Sequence, residues 1–149
     1  MTHQNSPSED YEISTDKSKL DIDRIHWYLS TQAYWCLGIS KALVEKSIVH
    51  SLCFGVYLHG EQVGFARVIS DFASIAYLGD VYILEAHRGK GLSKKLMARI
   101  MEHPELQGMR RWILLTRDAH DLYRKYGWKD IANPIYWMEL HNKNVYGKG

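Results

Sequence analysis

The middle of the chain alternates apolar with polar or small residues, in the period of two that is typical of strands. Three such stretches, at 52–58, 63–69 and 75–84, are separated by short turns at 59–62 and 71–74. The pattern predicts three strands that run back and forth as an antiparallel meander.

On either side of this meander, apolar residues recur every three or four positions, which predicts helices. Asp21 or Asp23 is a suitable N-cap for a first helix, and Ser40 for a second. A third helix begins after Gly91, and a short fourth helix ends at Gly127. The apolar faces predicted for the four helices are, in chain order, Ile22, Ile25 and Leu29; Leu43, Val44 and Ile48; Leu92, Leu96 and Ile100; and Ala119, Leu122, Tyr123 and Tyr126.

Three further segments have the composition of strands. Residues 11–14 are expected to form a first edge strand, and residues 135–140 are expected to close the sheet at the end of the chain. The strand at 112–115 follows a helical crossover, so we expect it to run parallel to the strand before that helix. The order of elements predicts an α/β (α+β) fold, with a mixed sheet and helices on both of its faces.

A chain of 149 residues is the length of one domain. Residues 1–10 are polar and are expected to be a flexible tail, which leaves 11–149 as the domain. A net charge of only +2 disfavours a nucleic-acid partner, because domains that bind nucleic acid are usually strongly basic.

Cys36 and Cys53 lie in apolar stretches and have no C-x-x-C spacing, so we expect them to be reduced core thiols of a cytoplasmic protein. The sequence contains no run of 18 apolar residues, so no membrane partner is expected. No cluster has the spacing of metal ligands, so no metal is expected.

A glycine-bearing loop after the strand at 75–84 is the first motif that carries chemistry. The sequence from Arg88 to Ser93 reads Arg-Gly-Lys-Gly-Leu-Ser and leads directly into the third helix. A helix start offers free backbone N–H groups and a positive dipole end to an anion, and glycine lets the backbone approach that anion closely. The loop therefore predicts a phosphate site, although it lacks the P-loop and dinucleotide-binding patterns.

The loop matches Arg-x-x-Gly-x-Gly/Ala except at the last position, where Ser93 replaces Gly or Ala. It resembles the coenzyme A pyrophosphate loop of the GCN5-related N-acetyltransferase (GNAT) family. A second segment, from Ala119 to Trp128, is similar to the family's Ala-x-x-Leu-Tyr-x-x-x-Gly-Phe helix, and it follows a strand as expected. Trp128 replaces the commoner Phe, and Asp118 stands where Asn is commoner. The two motifs together make the resemblance span roughly residues 52–140.

The resemblance implies acetyl-CoA as co-substrate and a pair of parallel strands that splay apart. Pantetheine would pair with the backbone of Val81, Tyr82 and Ile83. The family's pyrophosphate site corresponds here to backbone amides from Gly89 to Ser93, with charge added by Arg88 and Lys90. The residues that this assigns to the cofactor loop are Arg88, Gly89, Lys90, Gly91, Leu92 and Ser93.

The resemblance also implies a general acid. Tyr123 occupies the position of the family's tyrosine that protonates the leaving thiolate, and a tyrosine is protonated at neutral pH. The alternative is that Tyr123 is a core residue of its helix, with Tyr126 as a second candidate. Asp80 is a candidate base that reaches the acceptor directly or through water; alternatively it pairs with an arginine such as Arg67.

In folds of this family the first two helices and their connection form a wall of the acceptor pocket. Here that region supplies Trp27, Tyr28, Tyr34 and Trp35, which either line a pocket for an amine or belong to the core. The expected function is acetyl-CoA-dependent acetyl transfer to a primary amine of a small molecule, by direct attack in a ternary complex. The alternative is a coenzyme A-binding module without turnover. A homodimer is left open.

Overall fold

The computed structural model describes residues 10–147, so the tail predicted at 1–10 lies almost wholly outside the described residues. The strands are β1 (Tyr11–Ser14), β2 (Leu52–Leu58), β3 (Glu61–Ser70), β4 (Ile75–Ile83) and β5 (Arg111–Leu114). The helices are α1 (Ile22–Thr31), α2 (Lys41–Val49), α3 (Leu92–Glu102) and α4 (His120–Arg124). Short 3₁₀ turns lie at Lys17–Lys19, Glu85–His87, Pro104–Leu106 and Pro134–Tyr136.

The five strands form one sheet in the order β1-β2-β3-β4-β5. Neighbours are antiparallel except β4 and β5, which are parallel and pair from Ile75 opposite Arg111 to Leu78 opposite Leu114. The predicted meander, the mixed sheet and the parallel crossover strand are therefore confirmed.

Helices cover both faces of the sheet, as predicted. Successive strand residues point to opposite faces, so Phe54 packs under α3 while its neighbour Cys53 packs under α1 and α2. On α3, Leu92, Leu96 and Ile100 are buried, as the spacing predicts. Asp21 and Ser40 cap α1 and α2 by accepting hydrogen bonds from the amides of Arg24 and Leu43.

Two predictions about apolar segments are wrong. Leu43 belongs to the predicted apolar face of α2, but it is exposed, because the buried face of that helix is formed by Val44 and Ile48. Residues 135–140 do not close the sheet: Pro134–Tyr136 is a 3₁₀ turn, and no strand follows it within residues 10–147. The physical reason is that a short apolar run has no strand geometry of its own without a neighbouring strand to pair with.

Smaller differences concern the ends of elements. Strand β5 is shifted by one residue from its predicted position, and α4 begins at His120 instead of Ala119. Ala119 is the residue before the helix, where its amide donates to the Thr116 hydroxyl. Both differences are within the one or two residues by which different methods of assigning helix and strand ends disagree.

Candidate active site

The two parallel strands stop pairing halfway along β4. Pairing with β5 ends at Leu78, while β4 continues to Ile83 and stays paired with β3 on its other side. Beyond Leu78, no strand within residues 10–147 pairs with the β5-facing edge of β4. This is the splayed geometry that the resemblance implies, and it leaves the segment from Val81 to Ile83 without a strand partner on that edge.

A β-bulge in β4 coincides with the end of this pairing. On β3, only Ala66 lies between Phe65 and Arg67, whereas their partners Tyr82 and Gly79 on β4 are separated by two residues. One of the two is Asp80, whose φ of 53° is in the left-handed region. Aspartate adopts this conformation more readily than most residues, and a bulge bends its strand. We infer that the bulge at Asp80 turns β4 away from β5.

The Asp80 side chain is held from two directions. Arg67 on β3 forms an ion pair with it, at 2.8 Å between Nε and Oδ2. The indole N–H of Trp35, from the loop between α1 and α2, donates to Oδ1 at 2.8 Å. Asp80 and Arg67 are both largely buried, with 10% and 17% of their side chains exposed. The ion pair with Arg67 is the alternative that the sequence offered for Asp80; whether the carboxylate also acts as a base stays a prediction.

Tyr34 connects the same loop to the end of β5. Its ring lies edge-on to Trp35, with 5.0 Å between ring centres. Its hydroxyl accepts a hydrogen bond from the Arg117 amide at 2.9 Å, and the Arg117 guanidinium lies 3.8 Å from the centre of the Tyr34 ring. Two of the four aromatic residues predicted for the acceptor pocket, Tyr34 and Trp35, therefore lie where β4 and β5 separate.

The other two predicted aromatics are used differently. Tyr28 stacks on Tyr82 at 3.8 Å between ring centres, and it packs against the core between the sheet and the first two helices. Trp27 contacts the edge of Tyr28 and is half exposed. Among residues 10–147, no hydrogen bond or ring contact joins either residue to Asp80. Their role as pocket walls stays a prediction.

Tyr123 lies on α4, the helix that follows β5 in the chain. Its ring packs edge-on against Trp128, with 6.0 Å between ring centres. Burial raises the pKa of the Tyr123 hydroxyl above its ordinary value of 10, and the neighbouring Tyr34 raises it further by a smaller amount. No group within residues 10–147 hydrogen-bonds this hydroxyl. The Tyr123 hydroxyl therefore stays protonated at neutral pH and has a proton to give.

The surroundings of α4 are fixed by charge. Arg124 pairs with Asp121 on the same helix at 2.8 Å and with Asp130 beyond it at 2.7 Å.

A groove of ≈ 650 Å³ lies between α4 and β5. Its lining includes Leu114, Thr116 and Tyr123.

The glycine loop has the shape of an anion cradle. Gly89 and Gly91 have φ values of 75° and 78°, and a side chain added at either position would meet no atom within 4 Å. Both therefore leave open space beside the backbone. Gly91 precedes α3, whose first amides receive no side-chain cap. A pyrophosphate fits such a site, because the free N–H groups and the helix dipole favour an anion.

The charged residues of the loop differ in their contacts. Arg88 turns back toward the sheet, and its Nε donates to the Ile83 carbonyl at 2.8 Å. Lys90 is exposed, Leu92 is buried in the core, and Ser93 is half-buried in the first turn of α3. The loop is thus attached to the end of β4 through Arg88, and Gly89 follows Ile83 after five residues that include the Glu85–His87 turn.

Sequence reasoning missed Arg117 altogether and gave Arg67 only as a pairing alternative. Arg67 carried a readable signal, because a lone charge inside an apolar strand requires a buried partner. Arg117 carried none, since it lies in a polar loop and its contact with Tyr34 joins residues 83 positions apart.

Within residues 10–147, no helix is long and apolar enough to cross a membrane. No group of three or more His, Cys, Asp or Glu side chains there is placed to hold a metal ion.

Comparison with known proteins identifies the family. The sequence profile of the acetyltransferase (GNAT) domain matches residues 49–130. A candidate acetyltransferase of Gibberella zeae is 35% identical, over 85% of this chain and 84% of its own length. The chain belongs to the GNAT family of acetyltransferases.

Solved structures agree with this assignment. The crystal structure of a candidate GNAT-family acetyltransferase from Xanthomonas campestris is similar with a TM-score of 0.90 and 51% identity, over 93% of this chain and 97% of that one. A GNAT-family acetyltransferase from Elizabethkingia anophelis, solved with acetyl-CoA bound, has a TM-score of 0.59 and 15% identity, over 79% and 75% of the two chains. The latter similarity supports the fold alone.

Proposed function

We propose that the protein is an acetyl-CoA-dependent N-acetyltransferase that acts on a primary amine of a small molecule, by direct attack in a ternary complex. The observation that carries the proposal is the gap between β4 and β5 beyond Leu78, with the glycine loop after β4 and with Tyr123 near Tyr34, which lies where the two strands separate. A bound acetyl-CoA supplies an acetyl thioester. The amides from Gly89 to Ser93 would hold its pyrophosphate, and the backbone of Val81, Tyr82 and Ile83 would pair with its pantetheine arm.

Tyr123 is proposed as the general acid. When the amine nitrogen bonds to the acetyl carbon and the carbon–sulfur bond breaks, the sulfur leaves with an electron pair and needs a proton. The Tyr123 hydroxyl can donate that proton and recover one from solvent. Its raised pKa supports this role, because the acid must be protonated before the step, and its lack of a hydrogen-bond partner within residues 10–147 leaves it available.

Asp80 is proposed to receive the amine and accept its proton, directly or through water. Its carboxylate is fixed by Arg67 and Trp35, so it has a defined position beside the gap. Tyr34 and Trp35 are both partly exposed there. The indole of Trp35 next to a carboxylate suits an alkylamine cation, and an aromatic amine would stack on the same ring.

Cys36 and Cys53 support the proposal that the protein works in the cytoplasm. Both are buried free thiols. Free cysteines are typical of a reducing compartment.

The proposal is tested by a screen of small amines with acetyl-CoA, read by release of free thiol and by mass spectrometry of the acetylated amine. The matched control is Gly91→Glu, which places bulk and negative charge in the loop. We expect amine-dependent thiol release from the wild type and none from Gly91→Glu. Binding of acetyl-CoA without turnover of any amine would contradict an enzyme and favour the coenzyme A-binding module.

A further inference from the structure

The glycine loop has little in its own sequence that fixes its shape. From Gly89 to Gly91 the chain is exposed, and both glycines have φ values in the left-handed region. Glycine adopts either sign of φ with similar ease, so these values are easily lost. A loop whose amides face the anion for only part of the time binds that anion correspondingly more weakly. The affinity of the loop for a phosphate therefore depends on the contacts that hold its two ends.

One residue of the edge strand β1 contacts the chain at both ends of this loop. The hydroxyl of Tyr11 forms a 2.8 Å hydrogen bond with Nδ1 of His87, which directly precedes Arg88. The two rings also lie edge-on to each other, with 5.7 Å between their centres. On the far side of the loop, the Nζ of Lys95 donates to the Tyr11 carbonyl at 2.8 Å. The side chain and the backbone of Tyr11 thus hold opposite ends of the same loop.

Tyr11 itself has a fixed place in the fold. It pairs with Leu58 of β2, and only 6% of the residue is exposed. It belongs to the same buried cluster as Leu92, the first residue of α3. The Lys95 amide donates to the Gly91 carbonyl at 3.2 Å, so the contact with Tyr11 lies one residue away from the last glycine of the loop. A buried residue of the sheet therefore supports a loop that glycine leaves flexible.

We propose that Tyr11 is a positioning residue for the coenzyme, which keeps the amides from Gly89 to Ser93 in the arrangement that a pyrophosphate requires. Tyr11 acts through His87 and Lys95 and does not touch the ligand itself. A loop that is formed before the ligand arrives binds more tightly, because less conformational freedom is lost on binding. The inference rests on the proposed coenzyme site, and it concerns only the part of the ligand that carries the pyrophosphate.

The test compares the Kd of two ligands in the wild type and in Tyr11→Phe, which removes the hydroxyl and keeps the ring. Acetyl-CoA carries the pyrophosphate, whereas S-acetylpantetheine has the same thioester and pantetheine arm without it. We expect the Kd of acetyl-CoA to rise about fivefold, the factor that corresponds to one hydrogen bond of ordinary strength. The Kd of S-acetylpantetheine should stay the same, because this ligand does not reach the loop.

Two further variants separate positioning from a general loss of structure. The matched control is Tyr57→Phe on β2, because Tyr57 is as buried as Tyr11 and its hydroxyl has no hydrogen-bond partner within residues 10–147. This control should bind both ligands as the wild type does. His87→Phe should raise the Kd of acetyl-CoA about as much as Tyr11→Phe. The double variant should bind no more weakly than either single variant, because both changes remove the same hydrogen bond.

Any other result would overturn the proposal. If the wild type binds acetyl-CoA and Tyr11→Phe binds it equally well, the loop keeps its shape without this contact. An equal rise in Kd for S-acetylpantetheine, or in the Tyr57→Phe control, would mean that the loss is not specific to the loop. Additive losses in the double variant would mean that Tyr11 does not act through His87. A wild type that binds no acetyl-CoA would instead refute the coenzyme site itself, and the positioning role with it.

Discussion

The indole of Trp35 donates a 2.8 Å hydrogen bond to the carboxylate of Asp80, across 45 residues of sequence. This contact joins the loop between α1 and α2 to the bulge in β4. The loop thereby becomes part of the region where β4 and β5 separate, and the aromatic face of Trp35 is fixed beside the carboxylate.

Trp35→Phe should weaken acceptor use while leaving coenzyme binding intact. The change keeps an aromatic ring but removes the N–H that positions Asp80. A hydrogen bond to a charged group contributes about 1.5–3 kcal/mol, so we expect kcat/KM for the amine to fall about tenfold or more. The Kd of acetyl-CoA should stay the same. Trp137→Phe is the control, because Trp137 is exposed to a similar extent and has no place in the acceptor site, and an equal loss there would contradict a specific role for Trp35.

Arg67→Met should destabilise the protein strongly, because it leaves the buried Asp80 carboxylate without its charged partner. Removing one member of a buried ion pair costs about 3–5 kcal/mol, measured as the free energy of unfolding in urea. Adding Asp80→Asn should recover much of that loss. Lys19→Met, which breaks an exposed pair with Glu12, should leave the unfolding midpoint almost unchanged. No recovery in the double variant would show that Arg67 acts mainly through Ser51, its other partner.

Acetyl-CoA should raise the melting temperature of the wild type. At 100 times the Kd, binding adds about 2.7 kcal/mol of stability. Gly91→Glu should abolish that increase. Gly108→Glu is a matched control, because Gly108 has nearly the same φ, 76°, and equally open surroundings but lies outside the loop. Loss of the increase in both variants would indicate backbone strain instead of a blocked phosphate site.

The elements that carry the candidate site were predictable where they depend on local sequence. The loop from Arg88 to Ser93 and the buried face of α3 follow from glycine positions and from a helical period, and both depend on neighbours a few residues apart. Tyr123 could be placed on its helix for the same reason.

Contacts between distant segments were not predictable. Neither the contact of Tyr34 with Arg117 nor the bulge at Asp80 produces a periodic pattern in the sequence, because each depends on how separate elements pack together. Residues 135–140 are predicted as a closing strand because their composition favours a strand. Composition does not say whether a neighbouring strand is placed to pair with them.

Cys36 and Cys53 should react slowly with thiol reagents in the native protein. Burial raises the pKa of Cys36 to about 12 and that of Cys53 to about 11. At pH 8 the reactive thiolate is therefore only about one part in 10⁴ and one part in 10³ of each. The rate should increase as the pH rises toward these values, and unfolding in urea should make both thiols react rapidly. A fast reaction in the folded protein near pH 7 would contradict their burial.

The proposed acid is tested most directly by the kcat of Tyr123→Phe, measured with an accepted amine and saturating acetyl-CoA. The change removes only the hydroxyl, so the contact with Trp128 and the affinity for acetyl-CoA should be preserved. We expect kcat to fall about 10²–10⁴-fold, with the melting temperature unchanged. Tyr126→Phe, one turn further along, should stay within a few-fold of the wild type. In the wild type, the raised pKa of Tyr123 means that the acid is lost only as the pH rises above 10. Full activity in Tyr123→Phe would contradict the assignment of the acid.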